Sequence, residues 1–254
     1  MNEGQRQKTV VVLGAARSGT SVTAGILEAL GVDMGTVGSS RKWNPKGSFE
    51  DKDFQKLNRD IFRMVEQSKS YWDPPTQRQI MEQQLLAASR IQSLVAEKSS
   101  GKSLWGWKNP RAVLTMELYL PYLINPHFVT VLRDPLATAK SSVKHTRGRI
   151  DLQQAIRLVD FYGKEIRAFF ERHPELPNIS LSFEDLVADP KKEAARLAEF
   201  LGLELTEDKL ANVYKFVIPR EEIEAAKEKA IGAFTRRLPR FIRKRLGKLR
   251  NDRS

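Results

Sequence analysis

Residues Thr9–Ser21, TVVVLGAARSGTS, decide the fold. Thr9 to Leu13 form a short β-branched run with no polar alternation, the pattern of a strand covered on both faces of a parallel sheet. A loop bounded by Gly14 and Gly19 follows. The next segment reads as a helix with Val22, Ile26, Leu27 and Leu30 on its inner face and Gly31 at its end.

Working outward, the strand-then-helix alternation recurs. Residues 103–107 (SLWGW) read as a second buried strand leading into Lys108-Asn-Pro-Arg111. Residues 127–132 (HFVTVL) read as a third, leading into Arg133-Asp-Pro135 and a helix through about Lys144, and residues 178–183 (NISLSF) as a fourth. Helices are expected over 51–66, 76–98, 151–173, 190–202 and 206–216, with a loop over 35–47 and a break at Trp72-Asp-Pro-Pro75. The expected class is α/β: three layers, a central mostly parallel sheet with helices on both faces, P-loop NTPase-like. Ligands in such sheets bind beyond the carboxyl ends of the strands, and three of the four expected strands end in a basic motif.

Composition narrows the chemistry. The 254 residues include no cysteine and three widely spaced histidines, so disulfides are excluded and no metal is expected. Net charge is +12, but residues 234–254 hold nine Lys/Arg against one Asp, +8, which leaves +4 (12 − 8) for the rest. The body is therefore only mildly basic, and no nucleic-acid partner is expected. The chain divides on this reading into a domain over 1–232 and a basic amphipathic extension over 233–254. In that extension Leu238, Phe241, Ile242, Leu246 and Leu249 share one helical side. Such a helix suits peripheral contact with an anionic membrane, packing on the body, or an acidic glycan. The residues before Thr9 read as neither a signal peptide nor a membrane anchor, and no stretch approaches the ~20 apolar residues of a membrane-spanning helix. The expected location is cytoplasmic, with membrane association through the extension left open.

Gly14 to Ser21 nearly matches G-x-x-x-x-G-K-[ST], with Thr20 where the lysine would stand. Glycines still let backbone N–H groups turn inward at a helix N-terminus, and Thr20 and Ser21 add hydroxyl donors. The missing lysine is the one that reaches the β- and γ-phosphates of a nucleoside triphosphate. Arg17, mid-loop, suits a group attached to a single 5′-phosphate.

A strand followed by GAARSGTS resembles the 5′-phosphosulfate loop of sulfotransferases that use PAPS (3′-phosphoadenosine 5′-phosphosulfate), in particular their bacterial and carbohydrate-directed branch. In that family a Lys or Arg stands where Arg17 stands. The resemblance implies that Gly14, Ala15, Ala16, Arg17, Ser18, Gly19, Thr20 and Ser21 bind PAPS. Arg133, leaving the third strand, and Ser141, two turns into the next helix, are similar to the family's Arg-x7-Ser grip on the 3′-phosphate. Asp134 and Pro135 are explained by helix capping alone.

The segment Trp105-Gly-Trp-Lys-Asn-Pro-Arg111 resembles a W-x-W-K-D-P-R segment of bacterial members, with Asn109 for the commoner Asp. It offers Lys108 to the sulfonate or the leaving phosphate. Asn44-Pro-Lys-Gly-Ser-Phe-Glu50 resembles the family's N-P-x-G-x-x-E on the acceptor side. Transfer to a hydroxyl needs a base. Glu50 is the first candidate, Asp51 the second unless it only caps the next helix, and His145 the third. Arg17, Glu50 and Lys108 are thus the expected catalytic set. Leu181-Ser-Phe-Glu-Asp-Leu-Val-Ala-Asp-Pro190 matches the family's strand-then-E-D-L segment and reads as structural, with Phe183, Leu186 and Val187 packing. The family's C-terminal basic glycine loop is matched only by Lys227-Glu-Lys-Ala-Ile-Gly232 followed by Arg236 and Arg237.

The expected function is sulfonate transfer from PAPS to a hydroxyl or amine of a small-molecule or glycan acceptor, giving PAP, with no metal. Two alternatives stand beside it. A nucleotide or small-molecule kinase needs the loop lysine and a strand-end carboxylate for Mg²⁺. A non-enzymatic nucleic-acid- or membrane-binding protein would use the tail and leave the loop unexplained.

Overall fold

A computed structural model of the chain describes residues 7–35, 49–65 and 74–217. Four strands, β1 (Lys8–Leu13), β2 (Leu104–Lys108), β3 (Pro126–Leu132) and β4 (Asn178–Ser182), form one parallel sheet in the order β2-β1-β3-β4. The chain leaves β1 for one side of the sheet and β3 for the other. The carboxyl ends of these two neighbours are therefore a topological switch point, where α/β sheets bind ligands.

The helices cover both faces. Helices α1 (Thr20–Leu30), α8 (Phe183–Ala188), α9 (Pro190–Leu201) and α10 (Glu207–Phe216) enclose one core with Val10, Val12, Val129 and Val131. Helices α2 (Lys52–Met64), α3 (Gln77–Met81), α4 (Gln84–Ser99), α5 (Ala112–Tyr119) and α7 (Leu152–Arg172) enclose the other with Val11, Leu13, Trp105, Trp107 and Phe128. Period-2 alternation thus feeds two cores from the same strands, which is why β1 shows no polar residue after Thr9. Helix α6 (Pro135–Thr146) packs along α7.

Strand β2 shows the cost of close packing. The ring of Phe54 stacks on Trp107 at 4.3 Å, and Trp105 lies 5.5 Å from Trp107. Gly106 between them is obligatory, because a side chain there would overlap the carbonyl of Val10. Its N–H donates to the Asp33 carbonyl at 2.9 Å, which extends the sheet by one bridge.

Three differences from expectation have physical causes. The helix expected over 76–98 is two helices, broken at Glu82 and Gln83, where no Gly or Pro marks the break. Helix α5 was not expected. Seven of its eight residues are buried, so it has no polar face and no amphipathic period to read. Helix α8 is one capped turn between β4 and α9, started by the Ser182 hydroxyl accepting from Asp185 N–H at 3.2 Å.

The described residues fall in one compact unit ending at Val217. The boundary expected at 232–233, the amphipathic extension, residues Asn44 to Ser48 and the Lys227–Arg237 stretch lie outside the described residues. Among the described residues no helix is long and apolar enough to cross a membrane.

Candidate active site

The pairing register sets the three basic motifs side by side. Lys108, the last residue of β2, is level with Val12 of β1, and Leu13 is level with Thr130 of β3. The Gly14 loop therefore opens between Lys108 on one flank and Arg133, just past β3, on the other.

The loop is shaped by two glycines. A Cβ on Gly14 would stand 2.7 Å from Thr20 Cγ2 and 2.8 Å from both Ser18 Oγ and the Val131 carbonyl, filling the turn. Gly19 has φ 106° and abuts the ring of Phe183. Ser18 N–H donates back to the Ala15 carbonyl at 3.1 Å, and Gly19 O starts α1 by accepting from Val22 and Thr23. Arg17 adopts φ 73°, unusual for a residue with a side chain. Its side chain turns toward α6, where Nε donates to Ser141 Oγ at 3.3 Å.

Arg133 closes the other side. Its Nη1 donates to the Arg17 carbonyl at 3.2 Å, and its guanidinium lies over the ring of Phe183, 4.5 Å from the centroid. Partial burial first, and the nearby Arg133 charge second, lower the pKa of Arg17 from the ordinary arginine value. Two guanidinium groups close enough for one charge to lower the pKa of the other suit an anion that accepts from both.

Lys108 is 2% exposed and pairs with Glu50, Nζ to Oε1 2.6 Å. Burial lowers the Lys108 pKa and Glu50 partly restores it, while the Arg17 charge lowers it further. Glu50 also accepts from Gln55 Nε2. The backbone around Glu50 is fixed on both sides. Phe49 takes φ 51° and buries its ring edge-on against Phe216, 5.5 Å away. Asp51 caps α2, accepting from Asp53 N–H at 2.8 Å and pairing with Lys98 at 3.1 Å. Asp51 is thus occupied away from Lys108, as a helix cap. His145, one turn beyond Ser141 on α6, has its pKa lowered by burial and by the Arg17 charge. Asn109 Oδ1 accepts from Arg111 N–H at 2.8 Å, so the amide serves the turn where an Asp is commoner.

Residues 9–208 match the model of the Sulfotransferase family. The chain belongs to the sulfotransferase family. Its activity is PAPS-dependent sulfonate transfer. No curated protein matches the sequence. Among solved structures, the sulfotransferase domain of the curacin biosynthetic pathway is similar over 81% of this chain and 77% of its own, with 16% identity and a TM-score of 0.52. The sulfotransferase domain of the Synechococcus PCC 7002 olefin synthase covers the same shares, with 16% identity and a TM-score of 0.51. At such identities these likenesses concern the fold.

The residues of this sulfotransferase suit a doubly phosphorylated nucleotide. Ser18 Oγ and Arg133 Nε are buried with no hydrogen-bond partner among the described residues, at the two places where phosphates are expected. A buried donor left unmet costs roughly 1–3 kcal/mol, so an anion accepting from both offsets a standing penalty.

Sequence reasoning gave Phe183 a packing role only. In the sulfotransferase its ring also supports Arg133 and walls the loop at Gly19. Its position directly after a strand end was the available signal. Gln55 was not anticipated as a partner of Glu50, because a half-buried helix position gives a glutamine no distinctive pattern. The structure brings Arg17, Ser141 and Arg133 together, pairs Lys108 with Glu50, and directs Asp51 elsewhere.

Proposed function

We propose that this sulfotransferase moves the sulfonate of PAPS to a hydroxyl of a carbohydrate or glycoconjugate acceptor. The observation that supports the nucleotide assignment is the bond from Arg133 Nη1 to the Arg17 carbonyl, which sets the two proposed anion grips side by side. Loop N–H groups and Ser18, Thr20 and Ser21 hold the 5′-phosphate. Arg133 and Ser141 hold the 3′-phosphate, with the bidentate geometry available to a guanidinium. When bound, PAPS supplies an electrophilic sulfur and a phosphate leaving group. Arg17 and Lys108 neutralise charge on the bridging oxygen and the sulfonate. Glu50 takes the proton from the acceptor hydroxyl as its oxygen bonds to sulfur and the bond from sulfur to the phosphate oxygen breaks. The products are the sulfated acceptor and PAP. No metal is assigned a part.

Support for a carbohydrate comes from the likeness of Asn44–Glu50 to the carbohydrate-directed branch, which is analogy. The basic extension over 233–254 is proposed as a peripheral membrane contact of a cytoplasmic protein. Calorimetric titration with PAP and with ATP tests the nucleotide assignment. PAP should bind and ATP should bind at least tenfold more weakly. Equal or tighter ATP binding would favour a kinase. Turnover of PAPS against a panel of neutral and charged oligosaccharides then tests the acceptor class.

A further inference from the structure

We propose that the acceptor is anionic and is gripped by a basic stripe on α6 and its C-terminal turn. The proposal rests on the sulfonate-transfer assignment and adds the charge of the acceptor. Between Pro135 and Ile150 the chain carries Lys140, Lys144, His145, Arg147 and Arg149 and no Asp or Glu. Lys140, Lys144 and Arg147 are exposed and spaced i, i+4, i+7, so they follow one side of the helix into its cap. The adjoining row holds Ser141 and His145, and both sense Arg17, one by a hydrogen bond and the other by its charge. The stripe therefore begins one residue from the nucleotide cradle. From Lys140 to Arg147 it runs about 10 Å at the helical rise, enough to meet more than one charge on an oligomeric acceptor.

Among the described residues no acidic side chain answers these charges. The flanking carboxylates, Asp134 and Asp151, are used as helix caps, accepting from Ala137 N–H at 2.6 Å and Gln154 N–H at 2.7 Å. Some exposed cations elsewhere have acidic partners, as in Arg78–Glu82, Arg90–Asp60, Lys164–Asp160 and Arg196–Glu193, and others, such as Arg59 and Lys191, have none among the described residues, so what sets this run apart is its place beside Ser141 and its lack of any interspersed acid. Among the described residues no ion pair reaches Lys140, Lys144 or Arg147.

Local stability does not explain the stripe either. A cation in the last turn complements the helix dipole, which accounts for Lys144. It does not account for Lys140 in mid-helix, placed i to i+4 from a like charge. Nor does it account for Arg147, which takes φ 55° at the cap, where glycine would be unstrained. Positive-φ residues with side chains number four among the described residues, and two others, Arg17 and Phe49, shape the site itself. A run of cations with no ion pair among the described residues, ending in a left-handed arginine beside a sulfonate-transfer site, fits an acceptor bearing carboxylate or sulfate groups.

The test compares the full chain with its Lys140→Gln/Lys144→Gln/Arg147→Gln variant. Because both keep the basic extension, only their difference is read. Fluorescence anisotropy with labelled hexagalacturonate, at saturating PAP, should show about a tenfold loss in the variant. Labelled maltohexaose should bind neither protein, and calorimetric PAP affinity should stay within about twofold. Equal hexagalacturonate affinity in the two proteins overturns the proposal. So does a fall in PAP affinity, which would give the stripe to the nucleotide. Loss of phosphatidylglycerol-vesicle flotation with hexagalacturonate binding retained would give it to a membrane. If the wild-type chain fails to bind PAP, the nucleotide assignment falls, and the hexagalacturonate comparison still decides the stripe. Arg147→Gly guards against a folding artefact. It relieves the left-handed strain, so it should raise Tm while weakening hexagalacturonate binding, and unchanged binding counts against the stripe.

Discussion

Arg17 Nε and Ser141 Oγ share a hydrogen bond of 3.3 Å across 124 residues of sequence. On the proposed assignment, the loop arginine thus reaches a residue of the 3′-phosphate grip. Arg17→Ala should then have two separable effects. Turnover should fall by at least about a hundredfold, because a preorganised cation at the developing charge is lost. The second effect is electrostatic. With one of the two causes of its depressed pKa removed, His145 should titrate at higher pH than in the wild type. An NMR titration of His145 reads this without any acceptor. Wild-type turnover in the variant would remove Arg17 from the chemistry.

Phe183 should act through Arg133. Its ring lies under the guanidinium and against Gly19, so Phe183→Ala removes a support from each of the proposed phosphate grips. A cation–π contact of this kind is worth about 0.5–2 kcal/mol. The expected loss of PAP affinity is about twofold to thirtyfold, measured by calorimetry. Phe183→Tyr keeps the ring and should restore affinity. If Phe183→Ala lowers Tm but leaves PAP affinity unchanged, the ring serves packing alone.

The parts that could be read from the sequence were those with a local pattern. The β-branched run at Thr9–Leu13, the glycines at 14 and 19, and the Asp134-Pro135 cap each dictate their own backbone, and each is found where expected. The pairing of Glu50 with Lys108 spans 58 residues, so it depends on register between β2 and the α2 entry and has no local signature. Helix α5 was hidden by being apolar all round, and the break at Glu82–Gln83 by having no breaker residue. The fixing of Glu50 by left-handed Phe49 was likewise illegible, since nothing about a phenylalanine announces φ 51°.

Gly25 offers a structural control for the glycine loop. It lies in α1, on the side packed by α10, where an added Cβ would come within 2.5 Å of Phe216 Cδ1. Gly25→Ala should lower stability by roughly 1–3 kcal/mol through overpacking, seen as a drop in Tm. PAP affinity of the folded protein should hardly change. Gly19→Ala, in contrast, meets Phe183 and a φ of 106°, so it should weaken PAP binding as well as stability. Equal effects of the two substitutions on PAP affinity would contradict the loop's assignment.

Glu50 and Asp51 are adjacent carboxylates in different work, and substitution should separate them. Asp51→Ala removes the α2 cap and one of the two carboxylates paired with Lys98, a loss of about 1–2 kcal/mol in stability, with kcat largely kept. Glu50→Gln should cut kcat by about 10²–10⁴, and it should also lower Tm, because the buried Lys108 charge loses its partner. The pH profile adds a signed check. Lys108 must be protonated to offer charge, and burial lowers its pKa, so activity should be present below that pKa and lost as pH rises through it. That alkaline limb should fall below the ordinary lysine range. In Glu50→Gln the group that partly restores the Lys108 pKa is gone, so the residual activity should lose its alkaline limb at still lower pH. A limb that stays put, or moves up, would show that the Lys108–Glu50 pair does not set the charge facing the sulfonate.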